Sequence, residues 1–248
     1  MTAQIALQLY SLREVANAQG YEDTIRKVAA MGYQAVETAG FPGSTAEAAA
    51  KLFKELGLTV AAAHVGLPLG EKKNEILEAL EALGKPRLVC THIRPTDMES
   101  IDTIKAICDK LNESYAICKA NGLEFGIHNH WWEFGELNGR LIHHIMLELL
   151  DPGIDFEIDT YWVKVAGCDP AKIVRDLGAR APLLHVKDGP GDKEHAMTAV
   201  GDGIMDFASI FKASGDIAKF WIVELDRCDT DVMAAVKKSY DYLAGLQK

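Results

Sequence analysis

Four stretches of the chain end an apolar run in side chains able to hold a divalent cation. They are Gly126-Ile127-His128-Asn129-His130-Trp131-Trp132-Glu133, Phe156-Glu157-Ile158-Asp159, Leu183-Leu184-His185-Val186-Lys187-Asp188 and Trp221-Ile222-Val223-Glu224. Carboxylates mixed with imidazole suit Mn²⁺, Co²⁺, Zn²⁺ or Mg²⁺ better than a thiolate-preferring metal. Side chains two apart on a strand share a face. Glu157 therefore lines up with Asp159, His185 with Lys187, Glu224 with Asp226 and His128 with His130. If Asp159, His185 and Glu224 turn into one mouth, two carboxylates and an imidazole nearly neutralise one divalent ion. Room is left for substrate oxygens, which separates a catalytic metal from a structural one. Any one such acid or histidine is more often a rim or core residue. The weight comes from the coincidence of three at the same end of their runs, because burying such groups unpaired is costly.

Two residues compete for a fourth ligand position. His128 is nearer the end of its run, and Glu133 lies just beyond it, able to fold back over the mouth. A hard ion prefers a third carboxylate, which favours Glu133 and leaves His128 for the substrate. Glu37 and His64 close the second and third apolar runs and would face the same mouth, within reach of a polyol. Lys187 can hold a carboxylate, phosphate or enolate oxygen, or else pair with Asp188 or Glu157. Trp131, Trp132 and Trp162 offer aromatic walls for the apolar face of a sugar. The Gly201-Asp202-Gly203-Ile204-Met205-Asp206 turn reads as an ordinary loop, and His143 and His144 as helix residues.

These side chains need a scaffold that gathers strand ends. Apolar runs suited to strands fall at 5–10, 35–38, 59–64, 88–93, 123–130, 154–159, 183–187 and 221–225. Segments with helical spacing fall between and after them, at 21–31, 45–56, 74–83, 102–119, 141–150, 170–177, 207–213 and 231–246. Several stop at a glycine, as helices commonly do. Strict alternation of strand and helix implies parallel strands covered by helices. A chain of 248 residues matches the roughly 250 of one (β/α)₈ barrel. The expectation is a single α/β TIM-barrel domain over 1–248. No Gly-x-Gly-x-x-Gly follows the first run, so the usual dinucleotide signature is missing.

Composition narrows the partners. The formal net charge of −10 and the lack of Lys/Arg clusters argue against nucleic acid and anionic membranes. The 5 cysteines are scattered, and no Cys-x-x-Cys occurs, so neither a disulfide framework nor a zinc finger is expected. No stretch reads as a secretion signal or membrane span, which makes a cytoplasmic enzyme the expectation. A small carbohydrate is the expected partner, and a homo-oligomer is compatible with the pattern.

The motifs resemble those of the sugar phosphate isomerase/epimerase family with the xylose isomerase-like TIM barrel. The resemblance is carried by Gln8-Leu9-Tyr10-Ser11-Leu12-Arg13, Gly32-Tyr33-Gln34-Ala35-Val36-Glu37, His128-Asn129-His130-Trp131-Trp132-Glu133-Phe134, Asp159-Thr160-Tyr161-Trp162, Leu184-His185-Val186-Lys187-Asp188 and Val223-Glu224. It implies a Glu–Asp–His–Glu metal site at the C-terminal mouth, the last three falling on Asp159, His185 and Glu224. Ketose 3-epimerases of this superfamily carry the first glutamate where this chain has His128, which makes Glu133 the substitute. Their arginine beyond the metal histidine is replaced here by the Pro190-Gly191 region.

The expected activity is a divalent-metal-dependent isomerase or epimerase of a sugar or related polyhydroxy ketone, working through a metal-stabilised enediolate. Glu224 is the first choice of base, with Glu133 or His130 opposite. Lys187, His64 and His128 would hold oxygens, with Glu37 and Trp162 completing the substrate site. The same scaffold also supports a dehydratase or keto-glycoside lyase. An apurinic-site endonuclease would need a basic groove that this acidic chain lacks. A non-catalytic carbohydrate-binding barrel is the remaining alternative.

Overall fold

The computed structural model describes residues 3–247. Among the described residues ten strands occur in chain order: β1 (Gln4–Gln8), β2 (Ala35–Thr38), β3 (Thr59–His64), β4 (Arg87–Cys90), β5 (Phe125–His128), β6 (Glu136–Leu137), β7 (Arg140–Leu141), β8 (Asp155–Asp159), β9 (Leu183–Val186) and β10 (Phe220–Val223). Eight of them close a parallel barrel in the order β1-β10-β9-β8-β5-β4-β3-β2. β6 and β7 form a separate antiparallel hairpin. The expected (β/α)₈ barrel is therefore the observed one, and each barrel strand lies beside its sequence neighbour.

The helices are α1 (Arg13–Gln19), α2 (Tyr21–Ala30), α3 (Ala46–Leu56), α4 (Lys73–Ala82), α5 (Ile101–Ala120), α6 (Ile142–Leu149), α7 (Thr160–Val165), α8 (Pro170–Leu177), α9 (Phe207–Ser214) and α10 (Val232–Leu246). α3 illustrates why the sequence folds as it does. Thr45 caps its start by accepting from Ala48 N, and Ala46, Ala49, Leu52 and Phe53 form its buried stripe. Gly57 ends it at φ 70°, a left-handed conformation that favours glycine. The short helices α1 and α7 and the hairpin were not expected. Each is too brief for helical or strand periodicity to register. Among the described residues no helix is long and apolar enough to cross a membrane.

Alternation along the strands builds the barrel interior in layers. Ala6, Ala35, Ala61, Ala62, Val89, Leu183 and Ile222 form an aliphatic cluster separate from the larger core beneath the helices. Two residues further along the strands, the same alternation brings Gln8, Glu37, His64 and His185 to the upper layer. The opposite faces carry Leu7, Val36, Leu88, Ile158 and Val223 into the helix-facing core. Each such side chain, fully buried, contributes roughly 1.5–3 kcal/mol. Below, Arg87 sits in the barrel floor with Nη2 2.8 Å from both Glu124 and Asp155. The small middle layer leaves the polar residues gathered at the C-terminal ends of the strands.

Candidate active site at the barrel mouth

Two ionic groups share the mouth, with His128 and His185 between them. The inner group is centred on Glu157. Its Oε2 lies 2.6 Å from His64 Nε2, 3.1 Å from His128 Nδ1 and 3.1 Å from His185 Nε2. Glu37 Oε2 lies beside it, 2.7 Å from His185 Nε2 and 3.1 Å from His64 Nε2. Gln8 donates from Nε2 to the same Glu37 oxygen at 2.7 Å, and its own Oε1 accepts from Tyr10 N. Glu37 Oε1 and Glu157 Oε1 are buried without a hydrogen-bond partner.

The outer group is centred on Lys187. Its Nζ lies 2.7 Å from Glu224 Oε2, 2.7 Å from Asp226 Oδ2 and 2.9 Å from Asp159 Oδ2. His185 turns Nδ1 to Glu224 Oε2 at 2.8 Å, and His128 Nε2 is 3.7 Å from Asp159 Oδ2. Each imidazole thus shows one nitrogen to each group. Asp159 also caps α7, its Oδ1 accepting from Trp162 N. Asn129 clamps Asp159 from the next strand: Oδ1 accepts from Asp159 N and Nδ2 donates to Asp159 O.

Burial decides how these groups hold their protons. Burial and the Glu157 carboxylate raise Glu37 above the ordinary carboxylate range. Burial alone would lower His64, but the Glu37 and Glu157 carboxylates outweigh it and raise the imidazole to about 10. His185 is likewise raised, by Glu157, Glu37 and Glu224 against its burial. Burial and the neighbouring His185 hold His128 well below its ordinary value. Glu157 is depressed, since His185 and His64 outweigh its burial. Burial would lower Lys187, but Asp159, Asp226 and Glu224 hold it well above the usual lysine range. Two opposed buried carboxylates with unlike proton affinities are a pattern common at functional sites.

Donors suited to a metal converge here. His128, Asp159, His185 and Glu224 present ligand atoms all within 4.8 Å of one another, and so do His64, His128, Glu157 and His185. Glu133 belongs to neither set. It is buried in the turn after β5, where Oε2 accepts from His130 N at 2.9 Å and Oε1 lies 3.5 Å from His130 Nδ1. His130 stacks on Trp132, with ring centroids 4.0 Å apart.

Above the ions opens a cavity of about 680 Å³, walled by Trp131, Trp132 and Trp162 and reached by His64, His130, Lys187 and Glu224. That is the size of a small-molecule site. The segment 189–206 supplies another wall through Lys193, His195 and Met197. Asp188 holds this segment from behind. Its Oδ1 accepts from Gly189 N and Met205 N, and its Oδ2 from Gly201 N and Gly203 N. A Cβ on Gly203 would lie 2.0 Å from Asp188 Oδ1, so glycine is required there for the chain to approach.

The structure thus brings Asp159, His185, Glu224, Lys187, Glu37, His64 and His128 together, and Trp162 and His130 line the cavity above them. Glu133 reaches the site only through His130. Sequence reasoning did not select Gln8, Glu157 or Asp226. Alternation held the signal: Gln8 follows Ala6 by two residues, Glu157 precedes Asp159 by two and Asp226 follows Glu224 by two.

A barrel of this order with acid and imidazole groups at its mouth defines a class, and the sequence agrees. The chain belongs to the xylose isomerase-like TIM barrel family, whose model matches residues 25–244. No curated protein matches the sequence. Among solved structures, it resembles a sugar phosphate isomerase/epimerase from Parabacteroides distasonis ATCC 8503, with 26% identity and a TM-score of 0.80 over 98% of each chain. An L-ribulose 3-epimerase is similar at 17% identity and TM-score 0.76, covering 99% of this chain and 95% of that one. A D-allulose 3-epimerase from Methylomonas sp. shares 17% identity at TM-score 0.71, covering 98% of this chain and 97% of that one. At that identity the two epimerases share the fold.

Proposed function

We propose that the chain is a divalent-metal-dependent isomerase or epimerase acting on a sugar or related polyhydroxy ketone. The observation that carries this reading is the convergence of His128, Asp159, His185 and Glu224 within 4.8 Å beneath an aromatic-walled mouth. These four would hold the ion, with His128 filling the position for which Glu133 competed. When bound, a divalent ion supplies a Lewis acid that acidifies the C–H beside a substrate carbonyl.

The chain's own residues do the rest. Glu224 is the base that removes this proton. His130 stands across the mouth to return one, its Nδ1 side held by Glu133. Lys187 brings a fixed positive charge to a developing enolate oxygen, where a preorganised charge is worth most. His64 reaches hydroxyl groups from the inner side, and Glu37, buried beneath, holds the His64 and His185 rings. Trp131 and Trp162 pack with centroids 4.8 Å apart, presenting an apolar wall that excludes water from the reacting carbon.

The test is metal content by elemental mass spectrometry on the wild type and an Asp159→Ala/His185→Ala variant, followed by a screen of ketoses for deuterium uptake from solvent. Bound metal that the variant loses, together with uptake at one carbon, supports the proposal. A wild type that neither carries nor takes up Mn²⁺, Co²⁺ or Zn²⁺ overturns it. Loss of water or an aglycone from the substrate would instead assign the same proton abstraction to a dehydratase or keto-glycoside lyase.

A further inference from the structure

The geometry points to a second divalent-cation position in the mouth, an inner one, held by His64 Nε2, His128 Nδ1, His185 Nε2 and Glu157. The donors form a set within 4.8 Å of one another. The three rings converge, with centroids 5.3 Å apart for His64–His128 and His64–His185 and 4.5 Å for His128–His185. Each turns a nitrogen to one oxygen, Glu157 Oε2, at 2.6 to 3.1 Å. Donors around a tetrahedral zinc ion stand about 3.4 Å apart. Against that spacing the nitrogen–Glu157 Oε2 distances of 2.6 to 3.1 Å need to open by roughly 0.3–0.8 Å.

Unsatisfied carboxylate oxygens favour an inner position over a purely hydrogen-bonded cluster. The outer carboxylates already surround the Lys187 ammonium. Among the described residues no lysine or arginine pairs with Glu37 or Glu157; imidazoles and Gln8 are their hydrogen-bond partners. Both glutamates are at most 1% exposed. Each also keeps one buried oxygen, Glu37 Oε1 and Glu157 Oε1, with no partner. A dication entering here would displace the imidazole protons that these two buried carboxylates otherwise hold, and the oxygens without a partner mark ligand capacity that the hydrogen-bonded cluster leaves unused. An imidazole-rich set of this kind suits Zn²⁺ or Co²⁺ better than Mg²⁺.

This position is distinct from the outer set used in the proposed function. It takes the opposite nitrogens of His128 and His185, so each neutral ring would give its lone pair to one position while its N–H faces the carboxylates of the other. It rests on the mouth being a metal centre, but not on the reaction carried out there.

The experiment is titration of the metal-stripped full-length protein with Co²⁺, followed by its visible absorption and by bound metal per chain. The proteins compared are the wild type, Asp159→Asn/Glu224→Gln, and that double variant carrying either Glu157→Gln or His64→Asn. The double variant is expected to keep one Co²⁺ with an intense four-coordinate spectrum. Adding Glu157→Gln or His64→Asn is expected to weaken binding at least tenfold and bleach that band. Circular dichroism checks that each variant is folded, and the two inner substitutions serve as alternatives should one fail. The inner site is overturned if Asp159→Asn/Glu224→Gln abolishes Co²⁺ binding, or if neither inner substitution changes affinity or spectrum. A wild type that binds a single ion, kept in Asp159→Asn/Glu224→Gln and lost when Glu157→Gln is added, upholds the inner site and sinks the outer one.

Discussion

Lys187 and Glu224 end neighbouring strands with Nζ and Oε2 2.7 Å apart, and both side chains are shut away from water. The pair fixes a positive charge beside the proposed base. Lys187→Met would leave Glu224 and Asp159 buried with no ammonium between them. Removing one partner of a buried ion pair costs about 3–5 kcal/mol. Urea unfolding of the metal-stripped protein should show a loss of that size. The variant should also bind Mn²⁺ more tightly than the wild type, because a competing cation is gone. Unchanged stability together with unchanged affinity would mean that Lys187 does not balance these carboxylates.

Asp159 has two tasks, which its two oxygens divide. Oδ1 caps α7 through Trp162 N, while Oδ2 faces Lys187. Asp159→Asn keeps an oxygen for the cap and removes the charge. Asp159→Ala removes both, and the lost cap alone costs about 0.5–2 kcal/mol. Both variants should lose metal affinity, but the alanine should unfold at the lower temperature. Equal melting temperatures would show that the cap contributes little.

The pH profile of stability should fall on both sides for different reasons. His64 is raised from 6.5 to about 10 against its burial by Glu37 and Glu157. Its contribution is complete below about pH 6.5 and is lost as pH rises towards 10. His143 behaves oppositely. Burial, with His144 and Arg180 nearby, lowers it to about 3. Between pH 6.5 and 3 the unfolded chain takes up a proton that the folded chain refuses, so stability falls with falling pH. Denaturation midpoints across pH should show a flatter alkaline limb in His64→Asn and a flatter acid limb in His143→Phe. Limbs parallel to wild type would refute each assignment.

The wall formed by 189–206 should depend on Gly203. In Gly203→Ala the new Cβ meets Asp188 Oδ1 at 2.0 Å and Gly189 N at 2.3 Å. Overpacking of this kind costs roughly 1–3 kcal/mol. Hydrogen exchange should quicken at the Gly201 and Met205 amides, which Asp188 now holds. Exchange in the strands should not change. Acceleration spread evenly over the chain would show that Asp188 stabilises the fold as a whole rather than this wall.

Much of this architecture was legible in the sequence. β2 and β3 occupy the expected segments, because alternating Ala/Val with a terminal acid or histidine leaves little choice of register. Other runs ended too late in the reading. β5 stops at His128, and His130 reaches the mouth from the following turn rather than from the strand. The choice between Glu133 and His128 turned on metal preference, which sequence can weigh. What it could not show is local: the turn after β5 folds Glu133 under His130, where it accepts from the His130 main chain and stands outside both donor sets. Glu157 stayed hidden because its partners His64, His128 and His185 come from three other strands. Only barrel closure brings them to one oxygen.

Asp188 gathers main-chain N–H groups alone. The course of the segment it holds is therefore written in backbone and glycine, and not in the side chains displayed towards the cavity. Lys193 and His195 can be exchanged for residues of other size and charge while the wall keeps its path, whereas Met197 is anchored in the core with Sδ accepting from Asp226 N. The barrel thus separates the part that must stay fixed for the ions from a part that natural variation or a designer can rewrite to admit different molecules.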